Sequence, residues 1–176
     1  MSKRAMRICF GIIGAVLIFT LVVAFFTREK EPTIEEKINA GAILHDGSEN
    51  SIFDSPEGEY ALKIKTIYEV APEPVAEDAP AADRVVIVVY EYTNNSIENG
   101  LVIGSTHFKA YDKSGKELEI YPQANLFEAG EIHQFGTMTA SIAFSLDKTA
   151  SKYIEVDYYN DSASATPDLV FEGTWE

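Results

Sequence analysis

Hydrophobic and polar residues alternate with a period of two through much of the chain from Ile52 onward, and this pattern restricts the fold more than any other feature. The clearest case runs from Thr137 to Leu146. Successive side chains of an extended strand point to opposite faces, so such a segment is typical of a half-buried β-strand. Val85–Tyr90 is instead apolar without interruption, which predicts a central strand covered on both faces.

Seven strands are predicted in all, separated by turn sequences and without a helical pattern between them. Their connections differ greatly in length, which favours a mainly β, seven-stranded antiparallel β-sandwich over a small barrel. Trp175 shares a face with Leu169 and Phe171 on the last strand, and we expect it in the core. The proline-rich connection Ala71–Asp83 is predicted to be a flexible extended loop. The strands are placed near residues 60–70, 85–90, 106–112, 118–120, 138–146, 154–158 and 169–175.

An uncharged apolar run precedes this block, from Ile8 to Phe26. As a helix it would be about 28 Å long, close to the roughly 30 Å of a bilayer core. We therefore predict a transmembrane helix over residues 8–27. Ala24-Phe25-Phe26 does not fit the small-x-small pattern of a cleavage site, so the segment is expected to stay as a signal-anchor. Cys9 lies at the front of the run, which excludes a lipobox.

The predicted topology is single-pass in the cell membrane, with residues 1–7 as a short basic cytoplasmic segment and the C-terminal domain extracytoplasmic. Basic residues are equally numerous on the two sides of the run, so the charge of the side chains does not decide which side is cytoplasmic. The resemblance of the N-terminus to an export signal, and the lack of Cys beyond the run, favour an outside domain.

Residues 28–51 are predicted to be a juxtamembrane stalk with a short helix. Thr33 and Glu36 have the spacing of a capping box, in which each side chain satisfies a backbone donor at the start of a helix. Gly41 is expected to end the helix. The sandwich then occupies residues 52–176.

The charge balance excludes several classes of protein. Twenty-eight acidic residues against 14 basic ones give a formal net charge of −14. A nucleic-acid-binding protein needs a basic surface, and the chain has none in its sequence. A single Cys excludes disulfide, zinc-cluster and iron–sulfur frameworks.

The order of the motifs resembles the immunoglobulin-like domains found outside the membrane of Gram-positive bacteria, as lipoproteins or membrane-anchored proteins. The resemblance rests on Gly58-Glu59-Tyr60, Tyr92–Ser96, Tyr111–Gly115, Leu126–Gly130 and Ala140–Phe144. It covers residues 52–176, and it implies a fold and a location but no catalytic residues. The missing lipobox and the insertion Ala71–Asp83 depart from that family's pattern.

No catalytic, cofactor-binding or metal site is predicted, and no cofactor. His45, His107 and His133 stand in no nucleophile motif. A copper site made of His107, His133 and Met138 is conceivable by ligand type but is disfavoured, because the outer domain has one Met. Calcium could use oxygen ligands of Asp46–Asn50 or Asp157–Asp161, although neither segment follows a calcium-loop spacing.

Two functions remain open. The first is a non-enzymatic, membrane-tethered interaction module of the cell envelope, which binds an envelope protein partner and contacts the membrane through residues 8–27. The alternative is a ligand-binding or accessory sensor domain, with dependence on a divalent cation left open. Aromatic residues suit an interface, and the candidates for an outward face are Tyr92, Tyr111, Tyr153 and Tyr159.

Overall fold

The computed structural model describes residues 32–45 and 50–176. The predicted cytoplasmic segment 1–7, the transmembrane helix 8–27 and most of Asp46–Asn50 lie outside these residues. Within them, no helix has the length and apolarity needed to cross a membrane. The elements are helix α1 (Ile34–Asn39) and strands β1 (Ile43–His45), β2 (Ser51–Ser55), β3 (Gly58–Val70), β4 (Arg84–Asn94), β5 (Phe108–Tyr111), β6 (Thr137–Leu146), β7 (Tyr153–Tyr158) and β8 (Leu169–Thr174), with a 3₁₀ turn at Ser105–His107.

The strands form two four-stranded sheets, which confirms a mainly β sandwich. Sheet A has the order β1-β8-β7-β5 and sheet B the order β2-β3-β4-β6. The predicted count of seven antiparallel strands is wrong, because the described residues contain eight and β1 runs parallel to β8. Both added strands lie before residue 58, and β1 has three residues, too few to show a periodicity.

Residues 118–120 do not form the predicted strand. Glu117 makes a single bridge to Tyr111 of sheet A, whereas Ile120 makes one to Phe144 of sheet B. The segment therefore crosses from one sheet to the other and is too short to form a ladder with either. The alternation around Leu118 arises from this crossing, since Leu118 is buried and its neighbours are exposed.

The core lies between the sheets and consists of the side chains that the alternation placed inward. Its aromatic centre joins Tyr90 to Phe108 and Phe108 to Tyr158, with ring centroids 4.7 and 5.3 Å apart. The Tyr158 hydroxyl donates to the Tyr60 hydroxyl at 2.7 Å, and Tyr60 donates to Asn160 Oδ1. Buried hydroxyl groups need such partners, so the polar ends of these rings are satisfied inside the core.

Strand β4 confirms the prediction of a central strand covered on both faces. It lies between β3 and β6, and its even-numbered residues face the main core. The odd-numbered Val85, Ile87 and Val89 are buried on the other side against Tyr121 and Ala143.

The connection 71–83 helps to cover that second face, and the prediction of a loose loop is wrong for its first part. The buried Gln123 accepts from the backbone N–H of Glu73 at 2.9 Å and donates to the Ala71 carbonyl at 3.3 Å. The Val75 N–H donates to the Pro122 carbonyl at 2.9 Å. The Gln123 amide thus binds the backbone on both sides of Pro72, which has no N–H of its own to donate.

Helix α1 confirms the short helix, but residues 34–45 are not a stalk. Thr33 and Glu36 form the capping box, with the Thr33 N–H donating to Glu36 at 2.7 Å. After the helix, β1 pairs with β8 through Ile43, Leu44 and His45. The segment therefore belongs to the sandwich, because its backbone completes the edge of sheet A.

The last predicted strand is confirmed as β8, with Leu169 and Phe171 buried. Trp175 follows the strand and is half-buried rather than central. It packs against the edge of the core, and its indole N–H donates to Glu69 Oε2 at 2.8 Å. Arg84 donates two hydrogen bonds to the same carboxylate, and these lower the pKa of Glu69 to about 2.

Gly173→Ala is expected to lower the free energy of unfolding by about 1–3 kcal/mol. A Cβ at this position would lie 2.2 Å from Ile67 Cδ1 and 2.9 Å from Phe171 Cε1, so the core would have to shift. Chemical denaturation measures the loss. Gly104→Ala is the matched control, since a Cβ there meets no atom within 4 Å. Equal stability of the two variants would contradict the packing described here.

Candidate interaction surface

Asn94, the last residue of β4, is buried and forms hydrogen bonds with two loops, the turn after β4 and the loop before β6. Its side-chain N–H₂ donates to the carbonyls of Ile97 at 2.9 Å and Ile132 at 3.2 Å, and its Oδ1 accepts from the Ile97 N–H at 2.7 Å. The Asn94 backbone N–H donates to the Gly136 carbonyl at 2.9 Å. One side chain thus fixes the turn after β4 and the loop before β6.

The hydrogen bonds of Asn94 hold the loop that carries Phe135 at the surface. Its backbone N–H donates to the Asn94 carbonyl at 2.7 Å, and its φ is 66°. The left-handed region costs a non-glycine residue about 1–2 kcal/mol. The side chain is 78% exposed, so the ring recovers none of this by burial. Strained residues of this kind concentrate at functional sites, where the surrounding structure holds them in place.

A third loop lies beside these two. The Glu59 N–H donates to Ser96 Oγ at 2.7 Å, and a Cβ at Gly58, whose φ is 138°, would be 2.8 Å from the same oxygen. Leu101 pairs with Ile132 through backbone hydrogen bonds, which brings the exposed Val102 to the same end of the sandwich. We name the loops 55–59, 94–102 and 131–136 together the Phe135 surface.

The charged groups of the Phe135 surface share one sign. They are Glu57, Glu59, Glu98 and Glu131, and the three loops contain no Lys or Arg. Glu131 lies against Gly100, where a Cβ would be 2.8 Å from the Glu131 side chain. Three of the four glutamates are exposed, and Glu59 is half-buried, accepting from Asn95. The surface therefore combines an exposed aromatic ring with an acidic surround.

A second unusual feature is a buried charge cluster of Lys37, Glu155 and Asp157 on the outer side of sheet A. Lys37 Nζ lies 2.5 Å from Glu155 Oε1 and 2.6 Å from Asp157 Oδ2, and 4.1 Å from the centroid of the Tyr111 ring. Lys37 is 3% exposed and Asp157 is fully buried. The helix is thus attached to the sheet by a cation with no access to water.

The charge cluster carries one negative charge in excess when both carboxylates are ionised. Burial raises the pKa of Asp157 to about 6, against the opposing effect of the Lys37 ammonium. Tyr159 also donates to Asp157 Oδ2, at 3.3 Å, whereas the buried Asp157 Oδ1 accepts no hydrogen bond. The pKa of the Asp157 carboxyl therefore lies closer to neutrality than that of an exposed aspartate.

The structure does not bring the conceivable metal ligands together. His107 Nδ1 contacts the Tyr159 carbonyl at 2.9 Å, while Met138 Sδ accepts from the Tyr92 hydroxyl and the Gly130 N–H, both at 3.1 Å. Asp157 belongs to the charge cluster, and Asp161 accepts from the Ala163 N–H. Within residues 32–45 and 50–176, no group of three or more His, Cys, Asp or Glu is arranged to hold a metal ion.

The expected outward face of tyrosines is wrong. Tyr92, Tyr111 and Tyr159 are buried, and Tyr153 is half-buried with its hydroxyl on Glu172. Tyr92 lies in the main core because β4 is covered on both faces. Tyr111 and Tyr159 lie on the outer side of sheet A, where Lys37 of α1 covers the Tyr111 ring.

Comparison with solved structures identifies the same architecture in other bacterial proteins. MPT63, a secreted protein of Mycobacterium tuberculosis, superposes with a TM-score of 0.58 at 12% identity, covering 75% of this chain and 98% of its own. The yjhA protein of Bacillus subtilis gives 0.52 at 12% identity, covering 75% and 99%. A candidate lipoprotein of Bacillus subtilis gives 0.54 at 15% identity, covering 74% of this chain and 39% of its own.

These similarities establish a common fold. The shared architecture is a β-sandwich. No protein-family model and no curated protein sequence matches this chain.

Proposed function

We propose that this chain is a non-enzymatic interaction module, tethered to the membrane by residues 8–27, that binds an envelope protein partner outside the cell through the Phe135 surface. The observation that carries the proposal is Phe135 itself. Its ring is exposed although its backbone has a costly conformation, which is held by a hydrogen bond from its N–H to the carbonyl of the buried Asn94. Rigid, exposed aromatic residues are typical anchors of protein interfaces, because little conformational entropy is lost when they bind.

The proposed location rests on two arguments. The uncharged run Ile8–Phe26 has the length of a membrane span and no suitable cleavage site. The sandwich resembles a secreted mycobacterial protein and a candidate bacterial lipoprotein in fold. We further assign the sandwich to the immunoglobulin-like class, since strands from distant parts of the chain alternate between its two sheets.

The non-enzymatic character of the proposal is supported by where the polar groups lie. Among the described residues, the buried Lys, Asp and Glu side chains are those of the charge cluster beneath α1, where Lys37 forms ion pairs with both carboxylates. The Phe135 surface offers carboxylates and an exposed His133 on loops, without a partner positioned to activate a nucleophile.

Photocrosslinking in intact bacterial cells tests the proposal. A photoreactive amino acid replaces Phe135 in the full chain, and another replaces the exposed Lys113 of the hairpin turn after β5 as the control. We expect position 135 to capture one defined envelope protein and position 113 to capture none. Phe135→Gly should abolish co-purification of that protein while leaving the denaturation midpoint nearly unchanged, since glycine tolerates a φ of 66°.

Two results would contradict the proposal. One is equal crosslinking from both positions. The other is full partner recovery with Phe135→Gly. Release of the mature chain into the medium, beginning after residue 27, would contradict the membrane tether separately.

A further inference from the structure

We propose that the occupant of the Phe135 surface is a basic segment of a protein partner, with Lys or Arg side chains on either side of an apolar one. This inference rests on the proposed function and names the chemistry of its partner. Two properties of the surface point to it, the exposed ring of Phe135 and the single sign of the charge around that ring.

The apolar part of the contact is Phe135 together with Val102. Both side chains are exposed, on neighbouring loops tied by the Leu101–Ile132 pair and by Asn94. Covering them would remove apolar surface from water without a rearrangement of the backbone. Arg or Lys can also lie against the face of an aromatic ring, which adds a cation–π attraction at the same position.

The charged part of the contact consists of Glu57, Glu98 and Glu131, the exposed glutamates on the loops of the Phe135 surface. Within residues 32–45 and 50–176, the acidic side chains in ion pairs lie elsewhere, such as Glu69 with Arg84 and Glu91 with Lys63 and Lys65, and none of these three is among them. Carboxylates around an apolar anchor favour a cationic partner, because opposite charges steer the encounter and like charges oppose it.

The charge of the whole chain argues against the other occupants. A second copy would bring two acidic loop ends together and two chains of net charge −14. Anionic lipid headgroups would be repelled for the same reason. A basic peptide segment is the occupant for which both the ring and its surround contribute favourably.

The test measures binding of a dye-labelled peptide of six lysines and one central leucine to the full chain in zwitterionic lipid nanodiscs. Fluorescence anisotropy gives the Kd, and a peptide with glutamates in place of the lysines is the charge-reversed probe. The first variant is Glu98→Gln with Glu131→Gln. Its matched control is Glu117→Gln with Glu119→Gln, which removes the same charge from exposed positions about 25 Å away, beside the far end of β6.

We expect the Glu98/Glu131 pair to weaken binding of the lysine peptide by roughly tenfold, Phe135→Gly to weaken it by a similar factor, and the Glu117/Glu119 pair to change it by less than about twofold. Added salt should weaken binding to the wild type. Equal weakening by both charge variants would overturn the proposal, since the peptide would then sense the overall charge. Binding of the glutamate peptide, or self-association that Phe135→Gly removes, would overturn it too.

The same variants separate this inference from the proposed function. If crosslinking at position 135 captures a partner equally well with and without the Glu98/Glu131 substitutions, the surface binds a protein but the partner is not basic there. If Phe135→Gly leaves co-purification of the partner unchanged, the proposed surface itself is wrong. A partner captured through a Lys- or Arg-rich segment, identified by mass spectrometry of the crosslinked peptide, supports both.

Discussion

Lys37→Met is expected to lower the free energy of unfolding by about 3–5 kcal/mol, the usual loss when one partner of a buried ion pair is removed. The substitution retains an apolar stem of similar length but leaves Glu155 and Asp157 facing each other without a cation. Two buried carboxylates repel each other, and neither has water to replace the ammonium. Urea denaturation of the purified chain measures the loss, with Lys113→Met at an exposed turn as the control, expected to change stability by less than about 0.5 kcal/mol.

A second comparison separates charge from packing. Asp157→Asn should be milder than Lys37→Met, because Lys37 and Glu155 remain as a balanced pair. Combining Lys37→Met with Glu155→Gln and Asp157→Asn should recover much of the lost stability, since no buried charge is then left without a partner. If Asp157→Asn is as damaging as Lys37→Met, packing and not charge balance governs the attachment of α1.

The free energy of unfolding is expected to depend on pH, because the charge cluster has two carboxylates for one ammonium. Burial raises the pKa of Asp157 to about 6 in the folded chain, above the value of 3.8 for an exposed aspartate. Its contribution to stability is therefore fully present below the unfolded pKa and is lost as the pH rises through about 6. A shift of this size corresponds to about 3 kcal/mol at most.

The groups around Asp157 include Lys37 of α1, Glu155 on its own strand and Tyr159 after it. On β5, Lys109 lies opposite Asp157 in the ladder, and the Tyr111 ring lies beneath the Lys37 ammonium. We expect urea midpoints of the wild type to fall between pH 5 and pH 7.5 and those of Asp157→Asn to stay nearly flat. Glu69 acts in another range, because its lowered pKa means that its contribution is lost only in strong acid. A wild-type midpoint that rises with pH over this window, as it would for a carboxyl with a lowered pKa, would contradict the assignment.

The sequence predicted those elements whose structure depends on local pattern. The alternation in Thr137–Leu146 gave β6, the apolar run gave the central strand β4, and Thr33 with Glu36 gave the cap of α1. Each of these signals is repeated within a few residues. By contrast, β1 and the bridge at Ile120 depend on partners more than twenty residues away, such as Leu169 and Phe144, so no local pattern indicated them.

The candidate sites were not predictable for a related reason. Lys37 looks like any solvent-facing helix residue, and its burial follows from the packing of α1 on β7, 118 residues away along the chain. Phe135 stands between turn residues, where an aromatic residue carries no sign of its positive φ or its exposure. Asn94 gave a partial signal, because Asn94-Asn95-Ser96 marks the end of a strand, but its role in binding the second loop depends on Ile132 and Gly136.

The parallel pairing of β1 with β8 has a mechanical consequence. A pull on the chain from the N-terminal side of α1 meets the charge cluster first, so Lys37 must leave two carboxylates in a dry site before β1 is loaded. If the opposing force acts at the C-terminal end of β8, the hydrogen bonds between β1 and β8 bear the tension together, in shear, because the two strands run in the same direction. A ladder loaded in this way yields at a higher force than one opened bond by bond, so the three residue pairs of β1 and β8 would resist such a pull as one unit.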